Sequence, residues 1–256
     1  RVKEKASQSS LSPITRMPHY KLYYPDLNAR GEPCRMMFAL AGVEFEDFRM
    51  KVPTSTKDRN DASYLAEPKM EVDGIMLNRS LAILRNLAKE HKAPYLTFPV
   101  LEVDGVKIGQ TLAIVRYLAK EFGFAGPDNL TCAVADALCD QMADYVLANL
   151  GWHVVNKGFV DGGDVAELYE QYFVPARARH LPFFEETLRK SSTGWFTPDV
   201  THADVFIAAS IEWLQKLNPK RDSFFDGFPL LAAHHKKFFA HPKLQKHLAQ
   251  RPEVDY

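Results

Sequence analysis

The most informative stretch of the chain is Pro99-Val-Leu-Glu-Val-Asp-Gly-Val-Lys-Ile-Gly-Gln-Thr-Leu-Ala-Ile-Val-Arg-Tyr-Leu-Ala-Lys-Glu-Phe122. It predicts two strands joined at Asp104-Gly105, because an Asp-Gly pair between apolar runs is typical of a tight hairpin turn. A helix is expected to begin at Gln110-Thr111, where apolar residues take up helical spacing. Polar groups at a helix N-terminus can hold an anion. This stretch is therefore the first candidate binding site.

The same pattern occurs once more, upstream. Aligned without gaps, residues 68–91 and 99–122 are identical at 13 of 24 positions. Two units are too few for a solenoid, so we interpret them as a 31-residue duplication inside one domain. Only one copy can form the central hairpin of a sheet, and the two copies therefore compete for one place in the fold.

Composition sets broad limits on function. The chain has 256 residues, 46% of them hydrophobic and 25% charged, which suits one large or two small globular domains. Its formal net charge of zero implies no general attraction to nucleic acid or to an acidic membrane surface. No apolar run approaches the roughly 20 residues that span a bilayer. Residues 1–18, basic and serine-rich at the start, are expected to be a disordered tail rather than a secretory signal.

The three cysteines form neither a disulfide framework nor a metal motif, which fits a reducing compartment and a cytoplasmic location. Cys132 and Cys139 lie seven residues apart in a helical region, and we predict that both pack on one buried face.

The first half of the chain reads as α/β. Residues 19–24 form an aromatic strand, and a helix follows from Gly31-Glu-Pro33 to Gly42. Residues 43–50 read as a second strand, and strand, helix, strand implies a parallel pair with a right-handed crossover. The duplicated hairpins complete a mixed sheet.

The second half reads as helical only. Residues 123–128 are a glycine- and proline-bearing linker, and no strand pattern follows them. Helical spacing covers residues 131–150, and a second helical region over 164–190 is expected to be interrupted near Pro175 and Pro182. Thr201-His-Ala-Asp204 has the form of a capping box with Asp in place of Glu, which predicts the start of a third helix. Helices over 230–239 and 242–250 complete the chain.

Together these features resemble the cytosolic glutathione transferases, most closely the sigma class, which includes haematopoietic-type prostaglandin D synthase. The resemblance covers residues 17–256 and implies a thioredoxin-like domain with a mixed sheet over 19–124, followed by an all-α domain over 125–256, usually as a homodimer. The motifs that carry it are Tyr20-Lys-Leu-Tyr-Tyr24, Arg30-Gly-Glu32 followed by Arg35, Pro99-Val-Leu-Glu-Val-Asp-Gly105, Gln110-Thr-Leu-Ala-Ile114 with Arg116-Tyr-Leu-Ala119, and Thr201–Asp204.

The resemblance gives Tyr24 and Arg30 catalytic roles. The Tyr24 hydroxyl would donate to the glutathione sulfur and stabilise the thiolate, which is the nucleophilic form of a thiol. Arg30 would support that thiolate electrostatically. The alternatives are a packed strand tyrosine and an exposed, ion-pairing arginine.

The resemblance also assigns residues that bind glutathione. Pro99 would follow a cis peptide bond and turn the Phe98 backbone towards the cysteinyl part of the ligand; a strand-edge proline is the alternative. Gln110 and Thr111 would hold the γ-glutamyl carboxylate at a helix N-terminus, where an ordinary N-cap is compatible with the same role. Asp144 would reach the γ-glutamyl amino group bound to the partner subunit, or else lie on a solvated helix face.

The second copy is predicted to be the working one, because it retains the Pro-Val-Leu strand and the Gln-Thr pair. Arg79-Ser80 stand in those places in the first copy, whose helical part, residues 80–90, would replace the short second helix of the family. Two departures concern the glycyl end of glutathione. Ser55 stands where sigma members have a tryptophan, and Thr97 stands where a Gln or Lys is usual.

The predicted function is conjugation of glutathione, as cosubstrate, to a small hydrophobic electrophile, or a related peroxidase or prostaglandin-isomerase reaction. The electrophile would bind between the two domains, near Tyr24 and the stretch around Trp152. No metal is required, and the spacing of the late histidines does not match a zinc motif, so we interpret them as surface residues. The late histidines are His234, His235, His241 and His247.

The alternative function is a non-catalytic, crystallin-like protein or an inactive splice variant.

Overall fold

The computed structural model describes residues 17–50, 70–72, 75–77, 98–157 and 163–252. Several predictions concern positions outside the described residues. These are residues 1–16 of the predicted tail, the helical part of the first copy, Ser55 and Thr97. The strands are β1 (Tyr20–Pro25), β2 (Glu46–Met50), β3 (Met70–Val72), β4 (Ile75–Leu77), β5 (Val100–Val103) and β6 (Val106–Gly109).

The central sheet has the strand order β2-β1-β5-β6. β1 and β2 are parallel, as the sequence predicts, and the helix between them, α1 (Glu32–Ala41), supplies the crossover. β5 is antiparallel to both β1 and β6. Pro33 lies in the first turn of α1, and Gly42 ends it with φ 70°. The left-handed conformation at this position suits glycine, which has no Cβ to clash.

The second copy of the duplicated segment forms the central hairpin. Asp104 and Gly105 have φ values of 45° and 87°, the signs of a type I′ turn between β5 and β6. The first copy forms a separate two-stranded antiparallel sheet, β3-β4. The prediction that the second copy enters the central sheet is therefore confirmed.

Helices follow the hairpin to the end of the described chain. They are α2 (Thr111–Phe122), α3 (Asn129–Ala148), α4 (Leu150–Asn156), α5 (Val165–Leu168), α6 (Val174–Arg189), α7 (His202–Leu217), α8 (Pro229–Phe239) and α9 (Gln245–Gln250). Among the described residues, none of these is long and apolar enough to cross a membrane.

The interruption predicted near Pro175 is a short π-helical segment, Tyr169–Phe173, that connects α5 to α6. The interruption predicted near Pro182 is wrong, because α6 continues through that residue. The proline removes one backbone donor, but α6 packs against α3 and α8 and its buried face keeps the helix together.

α7 joins the two halves of the protein. Its residues Ala203, Phe206, Ile207, Ile211 and Leu214 pack into the helical core. Three of its other apolar side chains, Val205, Ala208 and Ala209, pack into the core between the sheet and α1. A helix that is apolar on nearly all sides belongs in a protein interior. The capping box predicted at its start is present, with the Asp204 carboxylate accepting from the Thr201 N–H at 2.8 Å.

The surface interpretation of the late histidines is wrong for His247, whose side chain is 17% exposed and contacts buried Glu32, and for His234. The His234 side chain is 1% exposed, and Nε2 lies 2.9 Å from Asp204 Oδ1. A buried polar ring needs such a partner, and this one joins α8 to the start of α7. Cys139 is buried as predicted, whereas Cys132 is partly exposed.

Candidate functional site

Tyr24 lies near the end of β1 with its ring buried, 6% exposed. Its hydroxyl oxygen accepts a hydrogen bond from the Arg30 backbone N–H at 3.1 Å. The intervening turn brings Gly31 against the ring, where a Cβ would lie 2.5 Å from Tyr24 Cδ1. Because the hydroxyl accepts this bond, its own proton is available for donation to a bound group.

Burial raises the pKa of Tyr24, while the charge of Arg30, the Arg30 N–H and the charge of Arg35 act in the opposite direction. The Arg35 guanidinium carbon lies 5.6 Å from the ring centroid. The net rise in pKa keeps the phenol protonated at neutral pH, and a protonated phenol is a hydrogen-bond donor. The Arg30 side chain itself is exposed, so its contribution is a screened charge beside a buried hydroxyl.

Thr111 opens α2 next to this turn. Its side chain is buried, and Oγ1 donates to the Arg30 carbonyl at 3.3 Å. Arg30 thus contacts Tyr24 through its backbone N–H and Thr111 through its carbonyl. The structure brings three of the predicted site residues together at one turn.

Gln110 precedes α2 with φ 73° and ψ 121°, a conformation that side-chain-bearing residues rarely adopt. Its side chain is exposed and does not cap α2. The first N–H groups of a helix have no intrahelical partner, and they favour a negative charge. A carboxylate could therefore bind beside Thr111.

The Phe98–Pro99 peptide bond is cis. Phe98 is buried in a small cluster with Tyr24 of β1, Met50 of β2 and Val100 of β5. The cis-proline expected from the resemblance is therefore present, and it lies where β5 begins beside β1.

Asp144 does not join this constellation within one chain. It is exposed on α3, and the next acidic residue one turn earlier, Asp140, binds Arg116 at 2.6 Å. Trp152 is also away from an open cleft: its side chain is fully buried against Tyr169 and Phe173 in the helical core. Trp152 itself is therefore not exposed to a ligand, and binding of the electrophile near Tyr24 and the stretch around Trp152 stays a prediction.

Sequence reasoning gave no function to Glu32, although it stands at the start of α1 beside the Tyr24 turn. Its carboxylate is 3% exposed and contacts Arg35, His247 and Arg251. Burial would raise the pKa of Glu32, but the hydrogen bond from His247 and the charges of His247, Arg35 and Arg251 lower it to about 2. A buried glutamate so close to a helix start signals a partner elsewhere in the chain, but not which one.

A cavity of about 250 Å³ lies at the edge of this network rather than at Tyr24, and it is lined by Phe45, Asp47, Arg49, His247, Gln250, Arg251 and Pro252. Within the described parts of the chain, no group of three or more His, Cys, Asp or Glu side chains is placed to hold a metal ion.

Comparisons with known proteins agree with this arrangement. Residues 153–251 match the family model described as "Glutathione S-transferase, C-terminal domain". "Glutathione S-transferase 1" of Ascaris suum is 33% identical over 245 residues, which cover 94% of this chain and 100% of that protein. "S-crystallin SL11" of Nototodarus sloanii is 31% identical over 241 residues, covering 92% and 98% of the two chains.

A solved structure gives the same result for the fold. The structure described as a "Nu-class GST from Haemonchus contortus" superposes with a TM-score of 0.72 at 31% identity, over 94% of this chain and 100% of that one. The sigma class named from the resemblance is not confirmed by these similarities, since a neighbour carries another class name. Identity above 30% over nearly the full length, together with the sheet order, shows that the chain belongs to the glutathione S-transferase family.

Proposed function

We propose that this chain is a glutathione transferase that adds the glutathione thiolate to a small hydrophobic electrophile. The observation that carries the proposal is the Tyr24 hydroxyl, buried at the end of β1 and fixed by the Arg30 N–H at 3.1 Å. Relatives named glutathione S-transferase over nearly the whole chain support it. The same thiolate would serve a peroxidase or prostaglandin-isomerase reaction, and sigma remains our class assignment.

Tyr24 would act by stabilising the thiolate. A free thiol has a pKa of about 8.5, so most of it is protonated and unreactive at neutral pH. A hydrogen bond donated to the charged form lowers that pKa. Because the Tyr24 pKa is raised, its O–H stays protonated and can donate, while the Arg30 charge nearby favours the anion. The nucleophile would then be present in greater fraction without a metal.

The remaining contacts to glutathione would come from the start of α2 and of β5. Thr111 and Gln110 would hold the γ-glutamyl carboxylate, with the unpaired N–H groups of the first turn and the positive end of the helix dipole behind it. The Phe98 backbone, beside the cis peptide bond to Pro99, would pair with the cysteinyl part. Asp144 from a partner subunit would reach the γ-glutamyl amino group.

We further propose a cytoplasmic homodimer. α3, which carries Asp144, also exposes three large apolar side chains, and exposed apolar surface on one element favours an interface. These residues are Leu130, Val134 and Leu147, with exposed fractions of 76%, 44% and 65%.

The test uses glutathione binding by calorimetry and turnover with a generic aromatic electrophile. Tyr24→Phe should lower kcat/KM about 100-fold, the scale for removing one donor to a developing charge, and raise the thiol pKa in the pH–rate profile towards the free value. The matched control is Tyr23→Phe, since Tyr23 donates instead to Glu102 at 3.1 Å. Equal activity of the wild type and Tyr24→Phe would refute the catalytic role of Tyr24.

A second function, a non-catalytic structural protein, is favoured by the similarity to S-crystallin SL11 and by the duplicated segment. It predicts a folded wild-type chain with neither glutathione binding nor turnover. The binding measurement therefore separates the two functions before any variant is made.

A further inference from the structure

The Glu32 carboxylate connects the sheet domain to α9, near the end of the described residues. One oxygen, Oε1, lies 2.7 Å from His247 Nε2 and accepts from Arg251 Nη1 at 3.3 Å. The other, Oε2, accepts from Arg35 Nη1 at 3.3 Å. The carboxylate, 3% exposed, is therefore held from its own helix and from residues more than 200 positions away.

Arg251 is itself fixed by α7. Its Nη1 and Nη2 donate to the two Glu212 oxygens at 2.8 and 2.6 Å, a fork that holds the guanidinium plane in one orientation. Lys216 contacts the same carboxylate at 3.0 Å. The Arg251 side chain is 13% exposed, so these contacts are only weakly screened by solvent.

Glu32 belongs to the turn that holds Tyr24. Its N–H donates to the Asn28 carbonyl at 2.9 Å, closing the turn around Arg30, whose N–H donates to the Tyr24 hydroxyl. A change in the position of Glu32 moves the Arg30 peptide, because only Gly31 separates the two residues. The contacts are thus continuous from Arg251 to the Tyr24 oxygen.

We propose that Arg251, supported by His247, is a positioning residue for the glutathione thiol. By clamping Glu32, it holds the Arg30 N–H on the Tyr24 hydroxyl, and this polarised hydroxyl is the better donor to the thiolate. The proposal rests on the transferase function proposed above. It adds a role for the C-terminal end of the described chain, which does not touch the glutathione site.

Arg251→Met tests the proposal. The side chain borders the cavity of about 250 Å³, so methionine can be accommodated and the variant is expected to fold. Without the guanidinium, Glu32 and Glu212 lose the cation between them, and the turn at Arg30 loosens. We expect kcat/KM for glutathione to fall about tenfold, the scale of a small misplacement in an active site, and the thiol pKa in the pH–rate profile to rise.

Two variants serve as comparisons. Lys246→Met removes an exposed positive charge from α9, the helix that ends just before Arg251, and should leave both the rate and the pH profile unchanged. Arg251→Lys keeps the charge but not the fork, and it should restore part of the activity.

Amide hydrogen exchange adds a readout that needs no activity: Arg251→Met should speed exchange at Arg30 and not at the β5-β6 hairpin.

Three results would overturn the proposal: an Arg251→Met protein with the wild-type pH profile, equal losses in Arg251→Met and Lys246→Met, or unchanged exchange at Arg30. A lower melting temperature with unchanged pH profile would show that Arg251 serves stability alone. If the wild-type chain fails to turn over glutathione, the transferase function fails instead, and hydrogen exchange alone decides whether Arg251 clamps the turn.

Discussion

Replacing Glu32 by glutamine should destabilise the protein in a pH-dependent manner. The carboxylate is nearly inaccessible and contacts the guanidinium groups of Arg35 and Arg251 and the ring of His247. Glutamine has almost the same shape but cannot carry the negative charge. Glu32→Gln therefore removes the charge of this one group, and a second variant, His247→Gln in both backgrounds, separates that charge from the titration of the contacting His247 ring.

The magnitude follows from the pKa. The ordinary pKa of a glutamate is 4.5, and that of Glu32 in the folded protein is about 2, although burial acts to raise it, because its contacts with His247, Arg35 and Arg251 favour the anion. At 1.36 kcal/mol per pH unit, this difference is about 3 kcal/mol of stability at neutral pH. The unfolded chain binds the extra proton between these two values. The contribution is therefore complete above about pH 5, falls to about 2 kcal/mol near pH 3.5 and is below about 1 kcal/mol near pH 2.5.

The assay is reversible urea denaturation of both proteins, followed by circular dichroism at a series of pH values from 7 downwards. The free-energy difference should be constant near neutrality and shrink as the pH falls, so that the two stability curves converge in acid. A difference that stays the same at every pH would mean that Glu32→Gln acts through packing. No difference at neutral pH would refute the network itself.

Two further predictions concern other buried groups. Asp204→Ala removes a carboxylate with four hydrogen-bond contacts, to the Phe196 and Thr201 N–H groups, the Thr201 hydroxyl and the His234 ring, so it should cost at least about 3 kcal/mol in urea denaturation. Asp199→Ala, at an exposed position, should be nearly neutral. In native protein near neutral pH, a thiol reagent should label Cys132 first, because Cys34 and Cys139 are buried and burial raises the pKa of both thiols, that of Cys34 to about 12. All three cysteines should react after denaturation, and rapid labelling of Cys34 in native protein would contradict the packing of α1.

Local sequence was sufficient for much of the fold. The Asp104-Gly105 turn, the Gly42 helix end and the Thr201–Asp204 capping box each depend on the conformational preference of a few adjacent residues, and each is present. The resemblance supplied Tyr24 and the cis bond before Pro99, which no local propensity specifies.

The contacts of Glu32 could not be predicted in the same way. His247 lies 215 positions away in sequence, and the pairing depends on how α9 packs against α1, which no periodicity describes. The burial of His234 could not be predicted for the same reason. Histidines among lysines resemble a solvated helix face, and only the tertiary structure brings Asp204 next to this one. Charged and polar groups that are buried by distant partners are the part of a site that single-sequence reasoning misses.

The duplicated segment shows why tertiary packing, rather than local pattern, decides the central hairpin. Both copies form antiparallel hairpins, so their turn chemistry does not distinguish them. The two copies differ instead at the positions that pack into the core. Val100, 1% exposed beside Tyr24, corresponds to Lys69 in the first copy, and a lysine there would place an unpaired charge in an apolar cluster.

The end of α2 also favours the second copy in the central sheet. Phe122 packs edge-on against Tyr20 and Phe38 beneath the sheet, and His91 occupies the equivalent position in the first copy. Phe122 is partly buried, and a histidine there would replace much of its apolar contact with a polar ring. The first copy can therefore reproduce the shape of the hairpin but not the core under it, and the copy that fits the core is also the one that brings Thr111 to the Arg30 peptide beside Tyr24.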